Sequence, residues 1–349
     1  MLAHQSRLIV RHAAPMLIAQ LASMGMTVID TALLGHYGTE DLAAVAVGGG
    51  IYIAVTLALA GAVQAVAPIV AQRKGAGRDA EIAGCLQQAF WLALLLAVPG
   101  ALFLRHPDAL LALSPIAPAI ETKVRAYLAL LAWAMPAALL YRAFYAFANA
   151  LGAPRPLMLI SLASTLLHGV LAWLLVSGRL AGAGISAAGV LGCGASNVLV
   201  GWFALCCATV YVAVNPALAR HRLFHAWQAP RGAALRELLR LGLPMGFSSL
   251  VEISAFTLIA LFVAQLGATA VAGHRIVANL AAICYMLPLA LAMATLTQVG
   301  QAAGARDWRR ARVAASAGLL IAGLLATGIG ILLWLSAQAL IGALSLIHI

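Results

Sequence analysis

The chain has 349 residues, of which 64% are hydrophobic and only 9% charged. Ordinary soluble domains are roughly 45 to 50% apolar and about 25% charged, so a soluble globular protein is excluded. A helical span needs about 20 apolar residues, and the mean hydropathy of +1.01 assigns most of the chain to such spans. The expectation is an all-α, polytopic membrane protein whose first partner is the lipid bilayer.

The formal net charge of +11 comes from 21 Lys and Arg against 10 Asp and Glu. In a membrane protein basic residues collect in cytoplasmic loops for topological reasons, so the charge points to orientation and no nucleic-acid partner is expected. Five cysteines, Cys85, Cys193, Cys206, Cys207 and Cys284, fall in or beside apolar stretches with no C-x-x-C spacing; they read as small core residues. The N-terminus MLAHQSRLIVRH lacks a short apolar run ending in a signal-peptidase site, so the first span is expected to be retained.

Apolar runs between turn-forming or charged clusters predict nine helices, at 13–34, 42–71, 83–104, 124–148, 157–177, 189–213, 241–266, 270–300 and 313–336. They are too long and too uniformly apolar for barrel strands. With the N-terminus in the cytoplasm, Arg7, Arg11, Arg73, Lys74, Arg78, Arg155, Arg220, Arg222, Arg231, Arg236, Arg240, Arg306, Arg309, Arg310 and Arg312 lie inside. Only Arg105, Lys123, Arg125 and Arg179 lie outside. That asymmetry sets the expected orientation.

The polar stretch 215–237 carries Pro216 and Pro230 and reads as a cytoplasmic linker between two lobes: residues 1–214 with six helices and residues 238–349 with three. A repeat supports the division. An offset of 229 residues places Arg11 on Arg240, Pro15 on Pro244, Met16 on Met245, Gly38 on Gly267, Ala43 on Ala272, Gln72 on Gln301 and Gly75 on Gly304. Both copies start on the inner side, so they are parallel repeats about an axis along the membrane normal. The second copy holds three helices where the first holds six; by this offset a complete two-lobe chain needs about 450 to 460 residues, and the sequence is expected to be C-terminally truncated.

Most acids sit in loops or at helix ends; Asp30 and Glu252 do not. An ionised carboxylate at span depth costs several kcal/mol unless paired, hydrated or protonated, and usually marks function. Counted from the matched prolines at 1.5 Å per residue, the two differ in depth by about 10 Å, so they are two sites, one per lobe. Asp30 reads either as a coupling carboxylate or as a helix-terminal acid reaching water at the outer interface. His168 reads as a proton relay or as a hydrogen-bonded core histidine. Gln20, Asn197 and Asn279 line a cavity or hydrogen-bond between helices, and Tyr285 offers an aromatic face to a cation or packs in the bundle. Arg142 and Arg275 lie near span ends, where snorkelling explains them. Pro68, Pro136 and Pro288 are expected to interrupt their helices. H-E-x-x-H, G-x-S-x-G and Walker A sequences are missing, so the expectation is not an enzyme and not an ATP-driven pump.

The runs PMLIAQLASMGMTVIDTALLGHYGTEDLAAVAVG, VAPIVAQRKGAGRD, YRAFYAFANALGAPRPLMLI, GVLGCGAS and the stretch from LGLPMGFSSLVEISAF to TQVGQAAGARD together resemble multidrug and toxic compound extrusion (MATE) transporters of the NorM-like type. The resemblance covers residues 9–336. It implies two six-helix lobes around a central cleft and export of drugs and other xenobiotic, cationic or amphipathic small molecules in exchange for Na+ or H+. The nine helices match the first nine of that fold. Asp30 matches the carboxylate of the first lobe implicated in proton or cation coupling; Glu252 matches the acid of the second lobe's cation site, with Tyr285 facing the bound cation, so a Na+ site at Glu252 and Tyr285 is implied. The chain departs from many relatives in having His168 where they have Asn, and Arg275 where they have Gln.

Alternating access follows as the expected mechanism for a monomer with no cofactor. A flippase for lipid-linked oligosaccharides, from the same superfamily, is the alternative; it favours several cations lining the cleft, for which only Arg142 and Arg275 are candidates. A membrane-embedded enzyme needs its catalytic groups at one depth, which the offset between Asp30 and Glu252 opposes.

Overall fold

The structure is a computed structural model that describes residues 1–112, 117–179, 188–215, 227–266 and 268–347. Twelve helices are found among them: α1 (Leu2–Tyr37), α2 (Thr39–Gln64), α3 (Val66–Gly75), α4 (Asp79–Arg105), α5 (Asp108–Leu111), α6 (Pro118–Leu131), α7 (Met135–Ala150), α8 (Pro154–Val176), α9 (Gly189–Val214), α10 (Gly232–Ala264), α11 (Ala268–Gly304) and α12 (Trp308–Ile347). Seven are long and apolar enough to cross a bilayer, and the α6–α7 pair, bent by 53°, makes an eighth if taken as one span. The protein is an all-α, multi-pass membrane protein in two lobes. Part of the expected linker, residues 216–226, lies outside the described residues, as do Gly267 and the side chain of Arg275.

All nine predicted helices are present, and of the three prolines expected to interrupt their helices Pro68 and Pro136 do so and Pro288 does not. The predicted helix 42–71 breaks at Ala65, three residues before Pro68, giving α2 and α3. The predicted helix 124–148 breaks at 132–134, just before Pro136, which then sits in the first turn of α7 where its missing N–H costs nothing. Pro288, by contrast, lies inside the continuous 37-residue α11, as Pro15 does in α1. The helix α1 also starts eleven residues earlier than predicted, because Ile9 and His12 are buried against the bundle and that packing extends it past the apolar run.

Six-helix packing in the first lobe centres on α7. Its Met135, Leu139, Phe144 and Phe147 are almost wholly buried beneath α4, α2 and α9. The partner lobe touches the first most heavily through three crossings, α1 on α11, α10 on α2, and α3 on α11, with smaller contacts of α1 on α12, α10 on α4 and α11 on α7. Under the 229-residue offset the first two crossings are each other's images and the third maps onto itself. The third is reciprocal in its atoms as well. A Cβ added to Gly75 would fall on the carbonyl of Gln301, and one added to Gly304 would fall on the carbonyl of Gln72. Only glycine permits two backbones to approach this closely, so the repeated Gln-x-x-Gly sequence is a steric requirement of the seam.

Seam contacts gather toward the end of the bundle that carries the N-terminus and most basic residues. There the Gln301 amide donates to Ala150 O at 2.9 Å and Thr297 Oγ1 to Asn149 O at 3.3 Å. Lys74 Nζ reaches Leu151 O at 2.6 Å, so side chains from both lobes cap the last carbonyls of α7, which have no partner within their own helix. Toward the far end, a Cβ on Gly35, Gly49, Gly50 or Gly273 would meet nothing within 4 Å. The close backbone approaches between the lobes, Gly75 and Gly304 across the seam, Gly61 on Gly246 and Gly242 on Ala62, lie in the basic half of the bundle.

Candidate functional site

Asp30, His168 and Asn197 lie on three different helices, yet each is seven or eight residues from the far end of its own helix, measured to Tyr37, Val176 and Gly189. At 1.5 Å per residue this is a common depth of about 12 Å, and the helices α1, α8 and α9 pack side by side. The three side chains meet. His168 Nε2 is 2.8 Å from Asp30 Oδ1, and Asn197 Nδ2 donates to Asp30 Oδ2 at 3.1 Å. His168 is fully buried and Asp30 is 7% exposed. The carboxylate thus has a donor at each oxygen and a potential counter-cation, as burial of a charge requires. His168 is enclosed against Asp30 and does not face open space.

Around this cluster, Ser196 Oγ donates to Cys193 O at 2.8 Å and stands 3.4 Å from His168 Nδ1. The same Cys193 carbonyl accepts a second bond from Asn197 Nδ2 at 3.0 Å. Tyr127 of α6 closes one side; it is 3% exposed, and its ring lies against Gly48 of α2 and Gly194 of α9, where any side chain would collide with it.

At the far end of the same helices a second polar group ties the lobe together. Asp41 accepts from Lys123 Nζ at 2.7 Å and from the backbone N–H of Val190 at 2.8 Å, while Glu40 lies 3.0 Å from the same ammonium. This fastens the start of α2 to α6 and α9.

In the second lobe, Glu252 of α10 and Tyr285 of α11 lie near each other. Both are exposed, Tyr285 by 45%. They supply two oxygens to anything held there and leave further coordination to the bound species or water. Because α10 runs Gly232–Ala264, Glu252 lies 20 residues from its start and 12 from its end, farther from the middle than in the predicted span 241–266. Asn279 is exposed on α11 and is not joined to this pair. Gln20 spans the seam, its amide directed at Met293 Sδ at 3.6 Å.

Sequence reasoning took Asp30, His168 and Asn197 one at a time; the signal that joins them is their nearly equal distance from the far helix ends. It missed Ser196 and Tyr127, for which the adjacent Ser196-Asn197 pair and the glycines facing the ring were the available clues. It also missed the buried pair of His12 Nε2 and Asn149 Oδ1, at 2.7 Å, which binds α1 to α7 near the seam.

Two helical lobes meeting at one end, with carboxylates at span depth in each, define a multi-pass membrane transporter rather than an enzyme. Comparison with known proteins agrees. The MatE family model matches residues 15–174 and 244–346. A NorM protein of Aromatoleum aromaticum is 52% identical over 335 residues, which cover 96% of this chain and 72% of the relative. The multidrug resistance protein NorM of Aliivibrio fischeri is 32% identical over 311 residues, covering 89% of this chain and 67% of the relative. Among solved structures, a eukaryotic MATE transporter superposes with a TM-score of 0.85 at 17% identity, covering 97% of this chain and 74% of that one. The outward-facing conformation of a multidrug resistance MATE family transporter gives 0.83 at 21% identity, covering 96% and 73%. The chain belongs to the MatE family.

Proposed function

We propose that this protein is an antiporter of the bacterial inner membrane that exports lipophilic, cationic small molecules in exchange for H+ or Na+ by alternating access. The observation that carries the reading is a carboxylate at span depth in each of two lobes whose seam is drawn tight at the basic end. Its relatives bear the name multidrug resistance protein, which agrees with a binding surface of apolar walls and few directional polar contacts.

The basic end is the cytoplasmic one, since the positive-inside asymmetry places the N-terminus there. The arrangement described above is then the outward-open state, sealed on the cytoplasmic side by the Gly75 and Gly304 crossing. Residues 1–214 and 238–349 act as the two moving bodies, joined by the segment 215–237. Glu252 and Tyr285 receive the organic cation or Na+, and binding there or at Asp30 favours one arrangement of the lobes by its differential affinity for the two. The protein acts as a monomer.

Efflux of a fluorescent cation from proteoliposomes under separate pH and Na+ gradients tests this. Asp30→Asn and Glu252→Gln are each expected to abolish gradient-driven transport while leaving expression intact. Transport at the wild-type rate in both variants would refute the assignment.

A further inference from the structure

Arg142 lies at the middle of α7, seven residues after Met135 and eight before Ala150, and not near a span end as the sequence suggests. Snorkelling to an interface therefore does not account for it. Its neighbours along the helix place it. Ala138, Arg142, Tyr145 and Asn149 follow at the i, i+4, i+7, i+11 spacing of one helix face. That face ends in the seam, where Asn149 Oδ1 is 2.7 Å from His12 Nε2 of α1 and the Asn149 carbonyl accepts from Thr297 of α11. Arg142 stands on the same face about 10 Å further from the basic end.

Among the described residues no carboxylate forms an ion pair with Arg142. A guanidinium does not shed its proton, and an unpaired charge at span depth is costly. What surrounds it is a group of hydroxyls: Arg142 lies near Tyr52 of α2 and near Tyr141 and Tyr145 of its own helix. The Tyr141 and Tyr145 hydroxyls are buried without a hydrogen-bond partner, and so is Thr56 Oγ1, one turn from Tyr52 on α2. Tyr145 is only 9% exposed and Thr56 8%. Each hydroxyl has a hydrogen to donate, and the guanidinium has five N–H donors in a planar fork. The group as a whole is a set of donors in need of an acceptor.

We propose that Arg142 and the hydroxyls of Tyr141, Tyr145 and Thr56 form an anion site in the first lobe, which takes the carboxylate of a transported zwitterion. The inference rests on the export proposed above, in which Glu252 receives the cationic end, and it narrows the substrate class. Depth supports the pairing. A Cβ on Gly246 of α10 would fall on Ala58 O of α2. From that crossing Tyr52 and Glu252 each lie six residues toward the far end of the bundle, which is about 9 Å. Arg142, beside Tyr52, and Glu252 thus offer opposite charges at about one level, one in each lobe. A single guanidinium matches a carboxylate both in charge and in the spacing of its fork. A molecule with both charges meets a complement at each end, whereas a plain cation leaves the arginine unpaired.

The test compares rhodamine B, which carries a carboxylate and a delocalised cation, with its ethyl ester, which carries the cation alone. Binding of each to the purified full chain in a neutral detergent is followed by fluorescence anisotropy, and the wild type is expected to bind the acid more tightly. Arg142→Gln should weaken the acid roughly 10- to 100-fold, as expected for loss of a charged hydrogen-bonded pair. It should not weaken the ester, whose charge the arginine repels. Tyr145→Phe should weaken the acid about 5-fold with no fall in Tm, since the hydroxyl has no protein partner to lose. No preference for the acid in the wild type, a preference that survives either variant, or equal loss of acid and ester in a variant of unchanged Tm would each overturn the proposal. Glu252→Gln separates this site from the reading beneath it and is expected to weaken both compounds. If it weakens neither while Arg142→Gln removes the preference for the acid, the cation role of Glu252 fails and the anion site stands. If it weakens both while the wild type shows no preference for the acid, the anion site fails and the role of Glu252 stands.

Discussion

The substitution Gly75→Ala isolates what the glycine crossing does. Gly75 is the last residue of α3 and has ordinary helical backbone geometry, so alanine there gains local helix stability of about 0.5 to 1 kcal/mol. Against that, the new Cβ falls on the Gln301 carbonyl. A backbone oxygen cannot rotate aside, so α3 and α11 must separate. Forcing an extra methyl into a packed contact costs about 1 to 3 kcal/mol, and here the cost applies only while the seam is shut. The closed seam should therefore lose about 5- to 150-fold in population relative to states with the basic end open. Ala302, fully buried on α11 two residues from Gly304, is a suitable reporter. In a cysteine-free background, Ala302→Cys should react slowly with a membrane-impermeant maleimide applied to inside-out vesicles, and faster by that factor when Gly75→Ala is added. The control is Gly35→Ala, whose Cβ meets nothing within 4 Å and which should leave labelling unchanged. Equal labelling rates with and without Gly75→Ala would show that the seam is not held by this close approach.

Three further outcomes follow from contacts outside the cluster. Gln88 clasps the entry to the second lobe, accepting from Arg231 N at 2.7 Å and donating to Ala229 O at 2.9 Å; at about 1 kcal/mol per bond, Gln88→Leu should speed tryptic cleavage after Arg231 roughly 30-fold. Arg125 beside Asp108 holds that carboxyl below its usual range, so the pair's contribution is present above about pH 4 and fades as pH falls through the lowered value; Arg125→Gln should narrow the loss of Tm between pH 6 and pH 3. Gly189 has a φ of +49°, and its Cβ would collide with Asp41 Oδ1 and Tyr37, so Gly189→Ala should destabilise the protein by about 1 to 3 kcal/mol, read as a lowered Tm in detergent.

Much of the fold was legible because each span must hide its own backbone polar groups, which leaves long apolar runs that composition reveals directly. The seam was half legible: the repeated Gln72 and Gln301, Gly75 and Gly304 were visible as matched letters, while their facing each other follows only once α3 and α11 cross. Proline effects were legible at Pro68 and Pro136 and not at Pro288. Pro68 and Pro136 fall where neighbouring helices pack around a bend, and Pro288 falls where α11 runs on, a difference set by tertiary contacts. The candidate site was legible residue by residue. That Asp30 is buried, and not a helix-end acid in water, depends on α8 and α9 closing over it with His168 and Asn197.

The two carboxylates differ in what they can exchange, and the difference follows from their neighbours. Three helices surround Asp30, and both of its oxygens are occupied by donors fixed on α8 and α9. Glu252 has one close partner, Tyr285, and an exposed face, so it can meet a bulky cation and lend it the aromatic ring. If the lobes are to exchange a proton for a drug, the enclosed acid suits the proton and the open one the drug. Their separation by about 10 Å in depth then means that coupling does not require direct competition for one carboxylate. On the proposed reading its route is the seam, where α1, which carries Asp30, packs against α11, which carries Tyr285. Replacing Gln20 by leucine should accordingly leave cation binding at Glu252 and proton release at Asp30 each intact when measured alone, while changing how strongly one affects the other. Unaltered mutual dependence of the two in Gln20→Leu would place the coupling elsewhere than the crossing of α1 and α11.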